Sequence, residues 1–302
     1  MPAHPFARYR PLIDRWTAFT EALARPLPEV VWTNTLRTTP RRIRRHLDAL
    51  GVQPTPLPWL PYAFQLASDA TPGTLLPFVT GHVHIQEAAS LLPVPILDPQ
   101  LGERVLDLCA APGNKTAQLA VHMNNRGTVV ANDRSSGRLY VLRSTLNRMG
   151  IANCAVTQHD GTQLPHDVGR FDRVLVDAPC SCEGTSRKHP MATADSDYDA
   201  LAATQRALLS KALTHCRVGG RVVYSTCTYA PEENEAVVDA VLTQWDGRAT
   251  LRPIAVEALR TAPGCTEWNG TSFDASLQHA ARLWPHHNNT GGFFVALLER
   301  IA

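Results

Sequence analysis

Residues 176–185 read VDAPCSCEGT: an apolar run ends in an acid, a proline and two thiols, Cys180 and Cys182. A second run, RVVYSTC, ends in Cys227 and leads into TYAPEENEAVV. A thiol at the end of a buried strand can serve as a nucleophile where its surroundings favour the thiolate. Acids stand at the ends of the other runs: Asp107, with Cys109, in RVLDLC, Asp133 in GTVVAND, Asp160 in NCAVTQHD and Asp177 in FDRVLVDAP. One such acid would be an ordinary helix cap. Four at successive strand ends point to a ligand with many hydrogen-bond donors.

From residue 79 onward these runs alternate with helical patterns: NKTAQLAVHM, SSGRLYVLRSTLNRMG, DALAATQRALLSKALTHC and PEENEAVVDAVLTQW. Strands alternating with helices predict an α/β fold with a mostly parallel sheet covered on both faces. Ligands in such sheets bind beyond the carboxyl ends of the strands. The turn after the first strand, AAPGNKT, lacks the glycine spacing of a P-loop, and no G-x-G-x-x-G follows the strand. A turn of small residues opening a helix still lets backbone N–H groups approach a ligand. These features fit an adenosine-bearing cofactor without a triphosphate, such as S-adenosylmethionine, better than a dinucleotide. Asp133 sits where a ribose-binding acid belongs.

The chain has 302 residues, 44% hydrophobic, enough for one medium domain and a smaller partner. No stretch approaches a membrane span. The N-terminus has no apolar signal core, and seven cysteines without an export signal read as free thiols, so a cytoplasmic protein is expected. Residues 1–78 read as a separate α+β module: the helical PLIDRWTAFTEALA, the strand-like VVWTNTL, the capped helix TTPRRIRRHLDALG and the proline-rich PTPLPWLPYAF. Net charge is only +2, yet the first 80 residues carry nine arginines, with Arg41, Arg42, Arg44 and Arg45 together. Arginine forks suit phosphate, although a solvated helix face satisfies the same pattern.

DLCAAPGNKT, DAPCSCEGT and YSTCTYAPEENEAVV, in this order and spacing, closely resemble the motifs of the Nop/Sun family of RNA cytosine-5 methyltransferases. The resemblance extends to QEAAS, MNNRGTVVAND, WTNTLRTTP and PLPWLPYAF, nearly the whole chain, and is strongest to the bacterial branch acting on small-subunit ribosomal RNA. That branch usually continues into further RNA-binding modules, whereas the resemblance here ends with the catalytic domain at FFVALLERIA. Asn114 and Cys182 stand where the family usually has Gly or another small residue, and NNTGGFF lacks the acid usual before Gly-Phe-Phe.

The resemblance implies a Rossmann-like class I S-adenosylmethionine-dependent methyltransferase domain over residues 79–302, behind an RNA-binding α+β domain over 1–78. It implies that Cys227 adds to carbon-6 of the cytosine and that Cys180 assists release of the product. Asp177 would steady the base, and Lys115 would reach the base or its phosphate. Cys109, Ala110, Ala111, Pro112, Gly113, Asn114 and Lys115 would form the donor loop. Asp133 would hold the ribose, Asp160 would meet the adenine, and Asp177 would border the same site. Arg187 and Lys188, with His189, are expected to contact phosphate ahead of the N-terminal arginines. Trp59 and Tyr62 are candidates for base stacking, and Trp32 is expected in the core. No resident metal is expected: Cys109, Cys180, Cys182 and Cys227 would suit zinc if they converged, but C-x-C leaves little span and a metal would quench the nucleophile. Cys182 reads as a small side chain tolerated in a turn. Cys154, Cys216, Cys265, His286 and His287 are assigned no role.

RNA is the expected partner, ribosomal before transfer RNA, with the small ribosomal subunit as a further candidate, no membrane and the protein a monomer. A transfer-RNA methyltransferase and an RNA-binding ribosome-assembly factor are the alternatives. A DNA enzyme fits less well, because such enzymes rely on the Pro-Cys thiol alone.

Overall fold

The computed structural model describes residues 4–67, 70–189 and 197–302. The N-terminal part holds helix α1 (Trp16–Leu23), strand β1 (Val30–Thr33), helix α2 (Pro40–Ala49), strands β2 (Thr55–Leu57) and β3 (Leu60–Gln65), the short helix α3 (Leu76–Val79) and strand β4 (Val83–Ile85). The strands form an antiparallel sheet in the order β2-β3-β1-β4. Its proline-rich passage is tolerated because β2 lies at the edge, where Pro56 interrupts no interior ladder. The sheet takes its fourth strand from beyond residue 78, the expected end of the module. Helix α2 starts as its sequence dictates: Thr39 accepts the Arg42 N–H and Pro40 opens the first turn. It buries Ile43 and Leu47 and leaves Arg41, Arg42, Arg44 and Arg45 exposed.

After the short helix α4 (Pro93–Leu97) comes the predicted alternation. It runs β5 (Arg104–Asp107), α5 (Asn114–His122), β6 (Thr128–Asn132), α6 (Ser136–Met149), β7 (Cys154–Thr157), β8 (Phe171–Asp177), α7 (Tyr198–His215), β9 (Cys216–Thr226) and α8 (Glu235–Trp245). Strands β10 (Ala249–Arg252), β11 (Ala262–Pro263), β12 (Glu267–Trp268), β13 (Thr271–Ser272) and β14 (Ala281–Leu283), helix α9 (Pro285–Asn288) and strand β15 (Phe293–Arg300) complete the chain. The main sheet runs β7-β6-β5-β8-β9 in parallel, and β15 joins β9 antiparallel. Strands β14 and β10 pair with successive parts of the far edge of β15. This is a Rossmann-like doubly wound sheet. Its order reverses at β5, so the crevice lies between the carboxyl ends of β5 and β8.

The two parts share one core. Trp32, Leu57 and Ala63 of the small sheet pack with Ala117, Leu139 and Leu142 of α5 and α6. At the other end, Phe6, Tyr9 and Phe19 pack against Tyr229, Trp268 and Trp284. A buried ion pair ties α8 to β14: Arg282 donates to both Glu235 carboxylate oxygens and to the Tyr229 carbonyl. The two side chains are 4% and 0% exposed, so neither charge has water to fall back on. Breaking such a pair leaves a bare buried charge, whereas replacing both partners by apolar groups costs much less. Arg282→Met should therefore destabilise the protein by about 3–5 kcal/mol in urea unfolding. Arg282→Met combined with Glu235→Leu should recover most of that loss.

Candidate active site

Strands β8 and β9 pair in parallel register, with Asp177 opposite Ser225. The segments that follow them leave the sheet at one edge, and this brings together thiols 47 positions apart: Cys180 Sγ lies 3.4 Å from Cys227 Sγ. Cys182 Sγ lies 4.0 Å from Cys180 Sγ, and all three sulfurs are within 4.8 Å of one another. Cys109 is not part of the cluster. Sulfurs this close cannot all ionise. Hydrogen bonds to Cys182 and Cys227 push the Cys180 thiol far up, and burial adds to this. Cys182 is pushed down to about 3 by its contacts with Cys180 and Cys227. Cys227 is lowered by Cys180, but Cys182 and burial outweigh this and leave it raised.

Beside the sulfurs, Lys115 from the first turn of α5 reaches across to Asp177 at 2.7 Å. Asp177 also accepts the Ser225 hydroxyl at 2.8 Å. Burial alone would lower the Lys115 pKa, but Asp177 outweighs it and the ammonium is held above its ordinary range. Its charge and a thiolate on Cys227 favour one another.

Two buried carboxylates hold the thiol-bearing loops. Glu233 accepts the Ser181 N–H and hydroxyl and the Gln205 amide, and Gln205 also donates to the Pro179 carbonyl. Glu183 accepts hydroxyls from Tyr9, Tyr198 and Thr228. The sequence suggests a helix starting in PEENE beside Cys227, but α8 starts only at Glu235. Residues 231–234 form a turn instead, because the Glu233 and Asn234 side chains are committed to the loops: Asn234 accepts the Thr226 hydroxyl. At Gly184 the backbones meet directly. Its N–H donates to the Cys227 carbonyl, its carbonyl accepts from Gly292, and an added Cβ would lie 2.2 Å from the Gly292 oxygen.

The expected donor loop, Cys109 to Lys115, runs from β5 into α5 and borders a cavity of about 510 Å³ together with Asp177, Lys188 and Cys227. Asp133 and Asp160 border an adjoining cavity of about 260 Å³. Both cavities share Cys109, Ala111, Pro112, Asp177 and Cys227. Asp133 accepts the Ala111 and Ser135 N–H groups and pairs with Arg138. Asp160 is exposed and caps the turn at Thr162. Asn114, in place of the usual small residue, bonds His84 of β4 at 3.0 Å and so joins the loop to the small sheet. Burial pushes His84 down to about 4.

The expected RNA contacts separate. Lys188 and His189 are exposed at the larger cavity. Arg187 is turned inward and donates to the carbonyls of Arg25, Pro26 and Thr290 and to the Asn289 side chain. The α2 arginines border neither cavity. Trp32 is buried, and Trp59 and Tyr62 pack against the shared core. No motif marks Asp14, whose Oδ1 meets His286 Nε2 at 2.7 Å and His287 Nε2 at 3.0 Å.

Residues 94–299 match the family described as 16S rRNA methyltransferase RsmB/F. The chain belongs to this family. The ribosomal RNA small subunit methyltransferase F of Escherichia coli is 42% identical over 293 residues, 93% of this chain and 59% of that protein. The 28S rRNA (cytosine(4447)-C(5))-methyltransferase of Homo sapiens is 37% identical, over 94% of this chain and 36% of its own length. The chain thus spans between about a third and three fifths of the length of the curated relatives it matches. A methyltransferase homolog from Pyrococcus horikoshii superimposes with a TM-score of 0.84 at 33% identity, covering 95% of this chain and 91% of its own. NSun6 from the same organism shares the fold at a TM-score of 0.81 and 22% identity, over 95% and 94% of the two chains.

Asp107 is 1% exposed; its Oδ2 accepts the Thr116 hydroxyl, and its Oδ1 has no partner among the described residues. Burial raises its pKa from 3.8 to about 7. Because the folded-state pKa is the higher one, its contribution to stability is fully present below the unfolded value and is lost as pH rises through about 7. Asp107→Asn should therefore raise the melting temperature of the ligand-free protein at pH 8, and scans at decreasing pH should show the gap closing by pH near 4.

Proposed function

We propose that this chain methylates carbon-5 of a cytosine in RNA, with small-subunit (16S-type) ribosomal RNA as substrate and S-adenosylmethionine as donor. The observation that carries the reading is the 3.4 Å approach of Cys180 and Cys227 beside the Lys115–Asp177 pair. Family membership and the names of the relatives support the substrate class. The cleft suits the donor chemically. Its walls carry the carboxylates of Asp107, Asp133, Asp160 and Asp177, acceptors for ribose hydroxyls, an adenine amine and an ammonium group. The unpartnered Asp107 oxygen is an acceptor of this kind.

Cytosine carbon-5 is a weak nucleophile. Cys227 loses its proton to solvent, the thiolate being favoured by the Lys115 ammonium, and adds to carbon-6, forming an S–C bond and pushing electron density onto carbon-5. Asp177, fixed by Lys115 and Ser225, accepts a hydrogen bond from the protonated ring nitrogen or the amino group of the base. When bound, S-adenosylmethionine supplies the methyl group as an electrophile for the activated carbon. A base then takes the carbon-5 proton, the C–S bond breaks and Cys227 departs as thiolate, with Cys180 in contact to assist release. The base must be unstacked to expose its ring faces, which single-stranded RNA allows most easily. Lys188 and His189 stand at the cavity mouth for phosphate, and the α2 arginines offer a second basic surface.

Cys180→Ala and Cys180→Ala/Cys227→Ala proteins, incubated with donor and RNA lacking the modification, test the assignment on a denaturing gel. The single variant should accumulate a protein–RNA adduct, and the double variant should show none. Sequencing the trapped RNA names the target, and recovery of transfer RNA alone would replace the ribosomal assignment. Methylation that persists undiminished in Cys227→Ala would overturn the reading.

A further inference from the structure

We propose that Cys180, Cys182 and Cys227 bind one thiophilic divalent ion, of which Zn(II) is the representative, and that its binding switches the nucleophile off. The site is made of three sulfurs, two of which, Cys180 and Cys227, also serve the methyl-transfer reaction. The second half of the proposal rests on the reading of Cys227 as the nucleophile, but the first does not.

A zinc ion lies about 2.3 Å from a thiolate, which sets sulfur–sulfur edges of about 3.8 Å in a tetrahedral site. The observed edges are 3.4 Å for Cys180–Cys227 and 4.0 Å for Cys180–Cys182, with the third below 4.8 Å. The triangle brackets the required spacing, so an ion needs side-chain rotations and no rebuilding of the backbone.

The turn at Cys182 explains how a C-x-C pair reaches this geometry. Cys182 has φ +60°, in the left-handed region. That conformation folds the chain back until the Cys182 sulfur lies 3.3 Å from the Cys180 carbonyl and faces the other two thiols. Glycine would adopt the turn without strain. A cysteine at this position adds a sulfur to a cluster that the methyl-transfer reaction uses only in part, since that reaction calls on two thiols.

Two sulfurs would suffice for a disulfide, which would also need an external oxidant. An ion uses all three sulfurs and needs no co-reactant: each thiol gives its proton to solvent as its sulfur becomes a ligand. The cluster borders the smaller cavity, so a water molecule can complete the coordination. While the ion is bound, the Cys227 lone pair is engaged in the metal–sulfur bond and does not attack carbon-6.

The test uses the reduced, metal-free 302-residue chain titrated anaerobically with Co(II). Thiolate-to-cobalt charge transfer reports sulfur ligation, and the Asp14–His286–His287 cluster, which offers only nitrogen and oxygen, does not contribute to that band. One equivalent should saturate the band, and Zn(II) should abolish it. In a methylation assay Zn(II) should inhibit, and a chelator should restore the activity. Cys182→Gly suits the backbone at that position, and its inhibition is read against its own zinc-free rate, because the lost sulfur also raises Cys227. Its half-inhibitory Zn(II) concentration should rise by at least ~10-fold, since even losing a residue behind a metal ligand commonly costs that much affinity. Absence of the charge-transfer band, or equal zinc sensitivity in the parent and Cys182→Gly, overturns the proposal. A saturable band in a protein that methylates no RNA upholds the metal site and rejects the functional reading instead.

Discussion

The parallel pairing of β8 with β9 is the constraint on which the site depends. With Val176 opposite Tyr224 and Asp177 opposite Ser225, the segments leaving the two strands emerge side by side. The Pro-Cys and Thr-Cys segments are then adjacent whatever else the loops do. The same pairing places Asp177 within reach of both Ser225 and Lys115, so an acid, a cation and two thiols meet without any one loop having to be long.

Register alone does not fix a loop to a fraction of an ångström. That task falls to Glu183 and Glu233, which are buried or nearly so and accept hydrogen bonds from several parts of the chain. A buried carboxylate is tolerable only when its oxygens are satisfied, and a fully satisfied network is rigid. Tyr9 donates to Glu183 across 174 positions of sequence, so the N-terminal segment helps to hold the Pro-Cys turn. Asn114 and His84 make a comparable link between the turn after β5 and the small sheet. The N-terminal part therefore supports the thiol-bearing loops as well as presenting its arginines.

Much of this was legible in the sequence because it is local. Strand–helix alternation gave the sheet, Thr39-Pro40 gave the start of α2, and the strand-end positions of Cys227, Cys180 and Asp177, with Lys115 at the start of α5 and the family motifs, gave the residues that meet. What was not legible depends on contacts between distant segments. PEENE reads as the start of a helix, yet Glu233 and Asn234 are drawn away to satisfy Ser181 and Thr226. Arg187 reads as a free cation, yet three backbone carbonyls claim its guanidinium. Nothing in the spacing of Asp14, His286 and His287 marks them as neighbours, because their meeting depends on where the N-terminal segment crosses α9. The inward turn of Cys182 is a backbone property, and its residue type alone does not disclose it.

The central claim is that Cys227, and not Cys180, bonds to the base. RNA carrying 5-fluorocytosine in place of cytosine tests it in the unmodified enzyme, because the fluorine blocks loss from carbon-5 and holds the adduct. Digestion of the trapped complex and mass spectrometry of the nucleotide-bearing peptide then read the linked residue. The account predicts the nucleotide on the peptide containing Cys227. Its recovery on the peptide containing Cys180 and Cys182 would contradict it.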